Sequence, residues 1–259
     1  MSPIDPGRKI DWSKTTEDYL RYRPGPPQSF YKKLLDWNVG SEGQKILDLG
    51  TGTGVLARQF SSQGAHAFGT DISELQIVAA KKAAQDNRLL TDFRVARAEE
   101  QPFENDSFDV ICANQCWLYF DKRRVVPEVI RLLRSGGRLV TSHFSWLPFQ
   151  DRVAHETEQL ILKYNPQWTA GGFDGSVPEV PEWSKNSFTV EEKFVYTEAI
   201  DFSLDAWCGR IRASRGIGAT LEADRVKDFD AELRNKISSI AGEKFRVLHA
   251  IDAHLFSVS

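Results

Sequence analysis

Short, mostly apolar runs alternate with amphipathic stretches between about residues 43 and 144. The runs are too short for helices and therefore predict strands, whereas apolar residues at helical spacing predict helices between them. We assign strands to Lys45–Leu49, Ala65–Thr70, Asp92–Ala96, Phe108–Asn114 and Arg138–Phe144, and helices to Val55–Gln63, Ser73–Asp86 and Arg124–Arg134. Strand and helix in alternation predict a parallel sheet with helices on both faces.

The last of these helices has one apolar side but also contains a proline. Pro127 has no backbone N–H, so we expect it within the first turn, where that donor has no partner inside the helix. The pair Gly136-Gly137 is expected to stop the helix and to turn the chain into the next strand.

The pattern divides the chain into four parts. Residues 1–42 form an amino-terminal cap segment and residues 43–144 form the core of alternating strands and helices. Residues 145–220 are rich in tryptophan, proline and glycine, and predict a loop-rich substrate cap, with a plain packing insertion as the alternative. Residues 221–259 are expected to complete the sheet with a helix at Asp224–Ile240 and a strand at Phe245–Phe256.

The amino-terminal segment is polar and aromatic, and a Pro-Gly-Pro-Pro break at residues 24–27 divides it. A short helix is expected after the break. Its apolar side consists of Phe30, Leu34, Leu35 and Trp37.

Composition narrows the class of protein. Lysine and arginine number 33 against 36 acidic residues, a net charge of −3, which gives no reason to expect a nucleic-acid partner. Three cysteines are too few, and wrongly spaced, for a disulfide scaffold or a zinc set, so no metal is expected.

No apolar run approaches the roughly 20 residues that cross a bilayer, and the first residues lack a signal-peptide pattern. A cytoplasmic protein without a membrane partner is expected.

A glycine-rich turn follows the first predicted strand. The segment Lys45–Val55 ends in Asp48-x-Gly50-x-Gly52-x-Gly54 and runs directly into a helix. Glycines let the backbone turn tightly and approach a ligand, and the helix offers free N–H groups. A phosphate-binding loop would need Gly-Lys-Ser/Thr where Gly54-Val55 stands, and a nicotinamide loop is spaced G-x-G-x-x-G. An acid ahead of the turn suits a ligand that carries an ammonium group.

The stretch from Asp48 to Gly54 resembles the first motif of class I S-adenosylmethionine-dependent methyltransferases. The stretches Val95–Phe103 and Asn105–Asp109 resemble later motifs of their type 11, small-molecule group. The resemblance implies an α/β, Rossmann-like, doubly wound seven-stranded sheet, mostly parallel with an antiparallel last strand, and a lid or cap insertion after strand five. It also implies S-adenosyl-L-methionine as the cofactor. The cofactor-binding residues that it implies are Arg23, Asp48, Gly50, Thr51, Gly52, Gly54, Asp71, Ile72, Ala98, Glu99, Asn114 and Gln115.

One of these positions keeps an alternative open, and two nearby positions depart from the family pattern. Asp71 is expected to bind the ribose hydroxyls, but it also reads as a cap of the following helix. Arg97 stands where the family usually has an aspartate near the adenine, and Glu99 is the candidate substitute. Leu118 stands where relatives often carry a histidine, so no base is expected at that position.

The acceptor site is expected above the glycine loop. Its wall candidates are Tyr19, Tyr22, Trp117 and Trp146, and its catalytic candidates are His143 and Tyr119, with simple packing as the alternative for the aromatic residues. His143 lies at the end of the fifth predicted strand, where it is equally well a structural histidine. Arg210, Arg212 and Arg215 are either binders of an acidic substrate or, more often for such clusters, a solvated face.

The leading hypothesis is in-line transfer of a methyl group to oxygen, nitrogen or carbon of a small molecule, by a monomer or homodimer. The alternatives are a methyltransferase that acts on RNA or protein, and a non-catalytic module that only binds the cofactor. A thiol or metalloid methyltransferase using Cys112, Cys116 and Cys208 is a weaker fourth hypothesis.

Overall fold

A seven-stranded sheet forms the centre of the fold. The computed structural model describes residues 10–22 and 25–259, and its strands lie in the order β3-β2-β1-β4-β5-β7-β6. The strands are β1 Lys45–Leu49, β2 His66–Asp71, β3 Asp92–Val95, β4 Phe108–Asn114, β5 Leu133–Trp146, β6 Phe188–Ser203 and β7 Lys244–Val258. The pairs among β1 to β5 are parallel and the last strands are antiparallel, which confirms the predicted fold.

Helices fill the connections between the strands. In the described residues they are α1 Thr16–Tyr22, α2 Gln28–Asp36, α3 Val55–Ser62, α4 Glu74–Asp86, α5 Lys122–Leu132, α6 Arg152–Tyr164, α7 Leu204–Arg212 and α8 Ala223–Ala241. The predicted strands and helices of residues 43–144 are all present. Most of their ends lie within two residues of the expected positions because local apolar spacing decides them.

Pro127 does not lie in the first turn of its helix, so that prediction is wrong. Helix α5 begins at Lys122, capped by the Asp121 side chain, which places the proline in the helix interior. Four side chains on the core side of α5 are buried: Val125, Val126, Val129 and Leu132. Their burial offsets the backbone hydrogen bond that proline cannot make.

The Gly136-Gly137 turn lies inside β5 rather than between helix and strand. Helix α5 already ends at Leu132, and the β4–β5 register shifts between the pairs Phe108–Leu133 and Val110–Arg138. Gly136 has a left-handed φ of +74°, which lets the extra residues bulge out.

The chain forms two compact units. One comprises Met1–Pro24, Ser145–Ser176 and Tyr196–Ala250, and the other comprises Gly25–Phe144, Val177–Val195 and Ile251–Ser259. We call the second the sheet unit because it holds β1 to β4 entire, and the first the helical unit because α6, α7 and α8 lie in it.

Each unit has its own core. In the sheet unit, Leu47, Ile111 and Leu139 pack with the buried side of α5 and with Phe256. In the helical unit, Trp207 and Phe229 are fully buried among side chains from α6, α7 and α8.

Residues 145–220 are more regular than expected. They contain α6, α7 and the whole of the 16-residue β6, and their longest loop-rich stretch is residues 165–187, with one short 3-10 helix. The loop-rich prediction rested on tryptophans, prolines and glycines outside α6, whereas α6 itself contains none of them and buries Val153, Leu160 and Ile161.

Candidate functional site

The glycine loop forms a tight turn at the carboxyl end of β1. Gly50, Gly52 and Gly54 have φ angles of +63°, +56° and +77°, a region that other residues rarely adopt. A Cβ on Gly50 would lie 2.9 Å from the Cys116 sulfur, and one on Gly54 would lie 2.5 Å from the Phe93 ring. The turn therefore requires glycine for both its backbone conformation and its close packing.

Asp48 is a buried carboxyl group beneath this turn. It is 3% exposed, and one of its oxygens accepts a hydrogen bond of 2.6 Å from the Thr51 hydroxyl. Burial raises the pKa of Asp48 to about 7; the Thr51 hydrogen bond lowers it and the nearby charge of Asp71 raises it. A ligand with a positive charge nearby would favour the ionised form.

Asp71 joins the ends of β1 and β2. Its Oδ2 accepts from the Gly52 N–H at 3.0 Å and its Oδ1 accepts from the Ser73 N–H at 2.9 Å. Helix α4 is capped by Ser73, whose hydroxyl accepts from the Gln76 N–H, so the capping role falls to Ser73 rather than to Asp71. Burial raises the pKa of Asp71, while the backbone hydrogen bonds lower it.

The residues expected near the adenine differ in exposure. Ile72 is 62% exposed immediately after Asp71, whereas Ala98 is buried. Glu99 accepts a hydrogen bond of 2.9 Å from the Asp121 N–H, and its other oxygen lies 3.8 Å from the exposed Arg97 guanidinium. The Glu99 carboxylate thus supports the start of α5, and its contact with adenine stays a prediction.

The loop after β4 connects the glycine turn to β5. Gln115 has a φ of +66°, its N–H donates to the Ser142 carbonyl, and its side-chain amide donates to the Phe144 carbonyl. The Asn114 side chain accepts from the Ser142 hydroxyl at 3.0 Å. The Cys116 thiol donates to the Leu49 carbonyl at 3.0 Å. Asn114 and Gln115 therefore hold the carboxyl edge of the sheet together, and cofactor binding by them stays a prediction.

His143 is paired with a buried carboxylate. Its Nδ1 lies 3.0 Å from Oδ1 of Asp252 on β7; the histidine side chain is 38% exposed and that of Asp252 is 2% exposed. Asn114 pairs with Ser142 in the sheet, and alternate side chains of a strand share a face. His143 therefore lies on the face opposite to Asn114, one residue beyond this last β4–β5 pair.

The aromatic candidates of the sheet unit are mainly packed. Trp117 is 3% exposed, and its ring centroid lies 4.6 Å from that of Trp183 and 5.9 Å from that of Phe120. Tyr119 ends the 3-10 helix Trp117–Tyr119 and is half-buried. Trp117 thus occupies a core position, as the packing alternative expects.

The aromatic candidates of the helical unit also have protein partners. The Tyr22 hydroxyl donates to Asp205 at 2.8 Å, and the Tyr22 ring lies against Gly209 at a distance that leaves no room for a Cβ. The Trp146 indole donates to the buried Glu158 at 2.7 Å. Tyr19 is half-buried on α1. Arg23 lies outside the described residues.

The three arginines of the helical unit do not form a solvated face, so that expectation is wrong. Arg210 is 3% exposed and lies within 6 Å of the ring centroids of Trp146, Phe202 and Trp207, and Arg215 is 9% exposed. Arg212 forms two hydrogen bonds with Asp18, of 2.8 and 2.7 Å, and a further one with Asp230. These arginines hold the helical unit together.

The cysteines do not support a thiol-based or metal-based site. All three are free thiols, and burial raises the pKa of Cys112 and Cys116 well above the usual value and that of Cys208 to about 12. Cys208 belongs to the helical unit and the other two belong to the sheet unit. Among the described residues no group of three or more histidine, cysteine or acidic side chains could hold a metal ion.

Asp252 was missed because it stands in an apolar strand far along the chain. The segment His249-Ala-Ile-Asp-Ala-His254 is almost fully buried, and a carboxylate inside such a strand signals a specific partner. That partner, His143, is 109 residues away, so the sequence pattern alone could not identify it.

The middle of the chain is similar in sequence to known methyltransferases. Residues 47–141 match the family model described as a methyltransferase domain. A methyltransferase of Mycobacterium tuberculosis is 36% identical over 123 residues, which is 47% of this chain and 46% of the relative. A ubiquinone/menaquinone biosynthesis C-methyltransferase of Vibrio campbellii is 36% identical over 118 residues, which is 43% of this chain and 45% of the relative. The matched segments thus span a little under half of each curated relative.

A solved structure shares the fold over almost the whole chain. The methyltransferase of Geobacter sulfurreducens, determined in complex with S-adenosyl-L-homocysteine, superposes with a TM-score of 0.53 and 18% identity, and covers 96% of this chain and 100% of its own. Across the described ranges, 10–22 and 25–259, no helix has the length and apolar character of a membrane span.

Proposed function

Because residues 47–141 match the methyltransferase-domain family model, we propose that the protein is a cytoplasmic enzyme that transfers the methyl group of S-adenosylmethionine to a small molecule. The observation that carries the proposal is the glycine turn after β1, which is held to the end of β2 by the hydrogen bond between Gly52 and Asp71. Open parallel sheets bind their ligands at this edge.

The side chains at this edge of the sheet suit the cofactor. Asp71 keeps lone-pair capacity for ribose hydroxyls beyond its backbone partners, since a carboxylate accepts at about four positions. Ile72 offers an exposed apolar side chain beside it for the flat adenine. Asp48 is a buried acid whose pKa is raised, and a nearby ammonium group of the ligand would stabilise its ionised form. When bound, S-adenosylmethionine supplies a methyl group already activated on a sulfonium.

We propose a hydroxylated aromatic compound, such as a hydroquinone, as the acceptor. The quinone-pathway C-methyltransferase of Vibrio campbellii supports this class, because the reduced form of a quinone carries two phenolic hydroxyls. The net charge of −3 argues against a polyanionic acceptor such as RNA. The protein's main task is alignment, since the acceptor atom must lie ~3 Å from the methyl carbon.

Calorimetry and a turnover assay test the proposal. The full chain should bind S-adenosylmethionine and S-adenosylhomocysteine, and should release S-adenosylhomocysteine faster when 1,4-naphthohydroquinone is added than when an aliphatic amine or total RNA is added. Absence of cofactor binding would overturn the proposed function. Binding without turnover of any acceptor would favour a non-catalytic module, and turnover with RNA alone would favour a macromolecular substrate.

A further inference from the structure

The contact between His143 and Asp252 has the geometry of an oriented base. A buried carboxylate that accepts from Nδ1–H holds a neutral imidazole in one tautomer and leaves Nε2 as the acceptor. The Asp252 side chain is 2% exposed and the His143 side chain is 38% exposed. The carboxylate is therefore buried in the protein, and part of the imidazole ring is accessible to solvent.

The position of the ring matches that role. His143 lies one residue beyond the last β4–β5 pair, and the residues on either side of it accept hydrogen bonds from Gln115. The next residue, Cys116, contacts Leu49 and Gly50 at the glycine turn. A short series of hydrogen bonds thus connects His143 to the turn at the same edge of the sheet.

In the described residues of the sheet unit, Asp252 is the carboxylate that contacts the His143 ring. His254, also on β7, is 3% exposed, and its Nε2 is hydrogen-bonded to the Pro178 carbonyl at 2.8 Å. The Lys193 ammonium on β6 pairs with Glu179 at 2.7 Å and with the Val177 carbonyl at 3.0 Å. Among these neighbours, Asp252 is the group that orients His143.

We propose that Asp252 is a positioning residue that holds His143 ready to take a proton from the hydroxyl of the acceptor. The inference rests on the proposed methyl transfer. The Nε2 lone pair takes the hydroxyl proton, and the electron pair of that O–H bond stays on the acceptor as a phenolate. The phenolate forms the new bond to the methyl carbon through its oxygen or a ring carbon, and the electron pair of the broken C–S bond passes to sulfur. When a ring carbon is the attacking atom, its hydrogen then leaves to water as a proton, and the electron pair of that C–H bond restores the aromatic phenolate. The proton leaves His143 to water afterwards.

The first test is spectroscopic and requires no acceptor. Long-range ¹H–¹⁵N spectra of the protein labelled in its histidine rings report the tautomer, and His143→Gln identifies the His143 signals. The wild-type ring should carry its proton on Nδ1 and leave Nε2 bare when neutral. The opposite tautomer in the wild-type protein would overturn the inference, whether or not any variant folds.

Asp252→Asn tests the positioning role directly. The variant should shift the His143 signals towards the other tautomer while cofactor affinity stays unchanged. Asp109→Asn is the control, because Asp109 is a carboxylate with a 10% exposed side chain that accepts from the Lys45 N–H and pairs with Arg134 at the opposite end of β4. Unchanged His143 signals in a folded Asp252→Asn protein would overturn the inference.

A double-mutant cycle on turnover completes the test. His143→Gln should lower kcat with 1,4-naphthohydroquinone by about 10²- to 10⁴-fold, the range for a general base. As a single substitution, Asp252→Asn should lower kcat. In the His143→Gln background it should cause no further loss, because Asp252 acts through the His143 ring. Additive losses would contradict the inference. If the wild-type protein did not bind S-adenosylmethionine, that result would instead count against the proposed function. Failure of the proposed function and failure of the positioning role are therefore distinguishable.

Discussion

The backbone N–H of Gly52 donates a hydrogen bond of 3.0 Å to Oδ2 of Asp71, and thereby joins the turn after β1 to the end of β2. The other carboxylate oxygen accepts from the Ser73 N–H, so the orientation of Asp71 is set by the backbone before any ligand binds. The side-chain-free turn and the acid are thus one preorganised unit.

Gly52→Val should abolish binding of S-adenosylmethionine. Gly52 is buried with a φ of +56°, where a β-branched residue is strained, and the new side chain would occupy the turn that the ligand approaches. Calorimetry measures the effect. Gly43→Val is the control for strain alone, because Gly43 has a φ of +79° and open space around it. Unaltered affinity in Gly52→Val would refute the assignment of the loop.

Asp71→Ala should raise the dissociation constant for S-adenosylmethionine by about 10- to 150-fold. This range corresponds to about 1.5–3 kcal/mol for hydrogen bonds to a charged group. Ser73→Ala serves as the control, because it removes the cap of α4 and should lower stability by about 1 kcal/mol without changing cofactor affinity. Equal affinity in Asp71→Ala and wild type would exclude the ribose role.

Cofactor affinity should rise with pH through about 7. Burial raises the pKa of Asp48 to about 7, so the carboxyl is neutral below that pH and gains the charge that attracts an ammonium group above it. Calorimetry in two buffers of different ionisation enthalpy should detect a proton released on binding near pH 6. Asp48→Asn should bind more weakly and lose this pH dependence. A flat profile in the wild type would contradict the prediction.

The same carboxyl should make the free protein less stable as pH rises from about 4 to 7. The pKa of Asp48 is raised above its usual 3.8, so within that window the folded state holds a proton that the unfolded chain has released. Denaturant unfolding of wild type and Asp48→Asn should give stabilities whose difference changes over this window and is constant above it. A constant difference throughout would show that the pKa is not raised.

Arg212→Met should destabilise the protein by about 1–3 kcal/mol, below the range for fully buried pairs because the Arg212 side chain is 16% exposed. The change removes the Arg212 guanidinium from Asp18 and from Asp230, which keeps Arg234 as its other partner, while the apolar part of the Arg212 side chain is kept. Arg246→Met removes an arginine whose side chain is 64% exposed and should change stability by under about 0.5 kcal/mol. Urea unfolding compares the two. If Arg212→Met raised the KM for the acceptor but left the stability unchanged, the hypothesis that Arg212 binds an acidic substrate would be restored.

Local patterns predicted the parts of the structure that depend on near neighbours. Strands β1 and β4 have the predicted bounds, and the glycine turn lies at the carboxyl end of β1. Pro127 and α6 were mispredicted. Tertiary burial of α5 overrides the cost of a proline, and the tryptophans, prolines and glycines beyond α6 suggested a loop-rich segment although α6 itself has helical spacing. Where tertiary packing contributes more free energy than local preference, the sequence pattern misleads.

The sequence by itself determined that an acid, a glycine turn and a second acid stand at the ends of β1 and β2. Parallel strands bring their carboxyl ends to one edge whatever the rest of the fold does. Only the tertiary structure decided that Asp252 meets His143, that Trp117 is buried and that Arg212 binds two aspartates. Those contacts join residues far apart in the chain, and their free energies depend on strand order and burial, which no local spacing encodes.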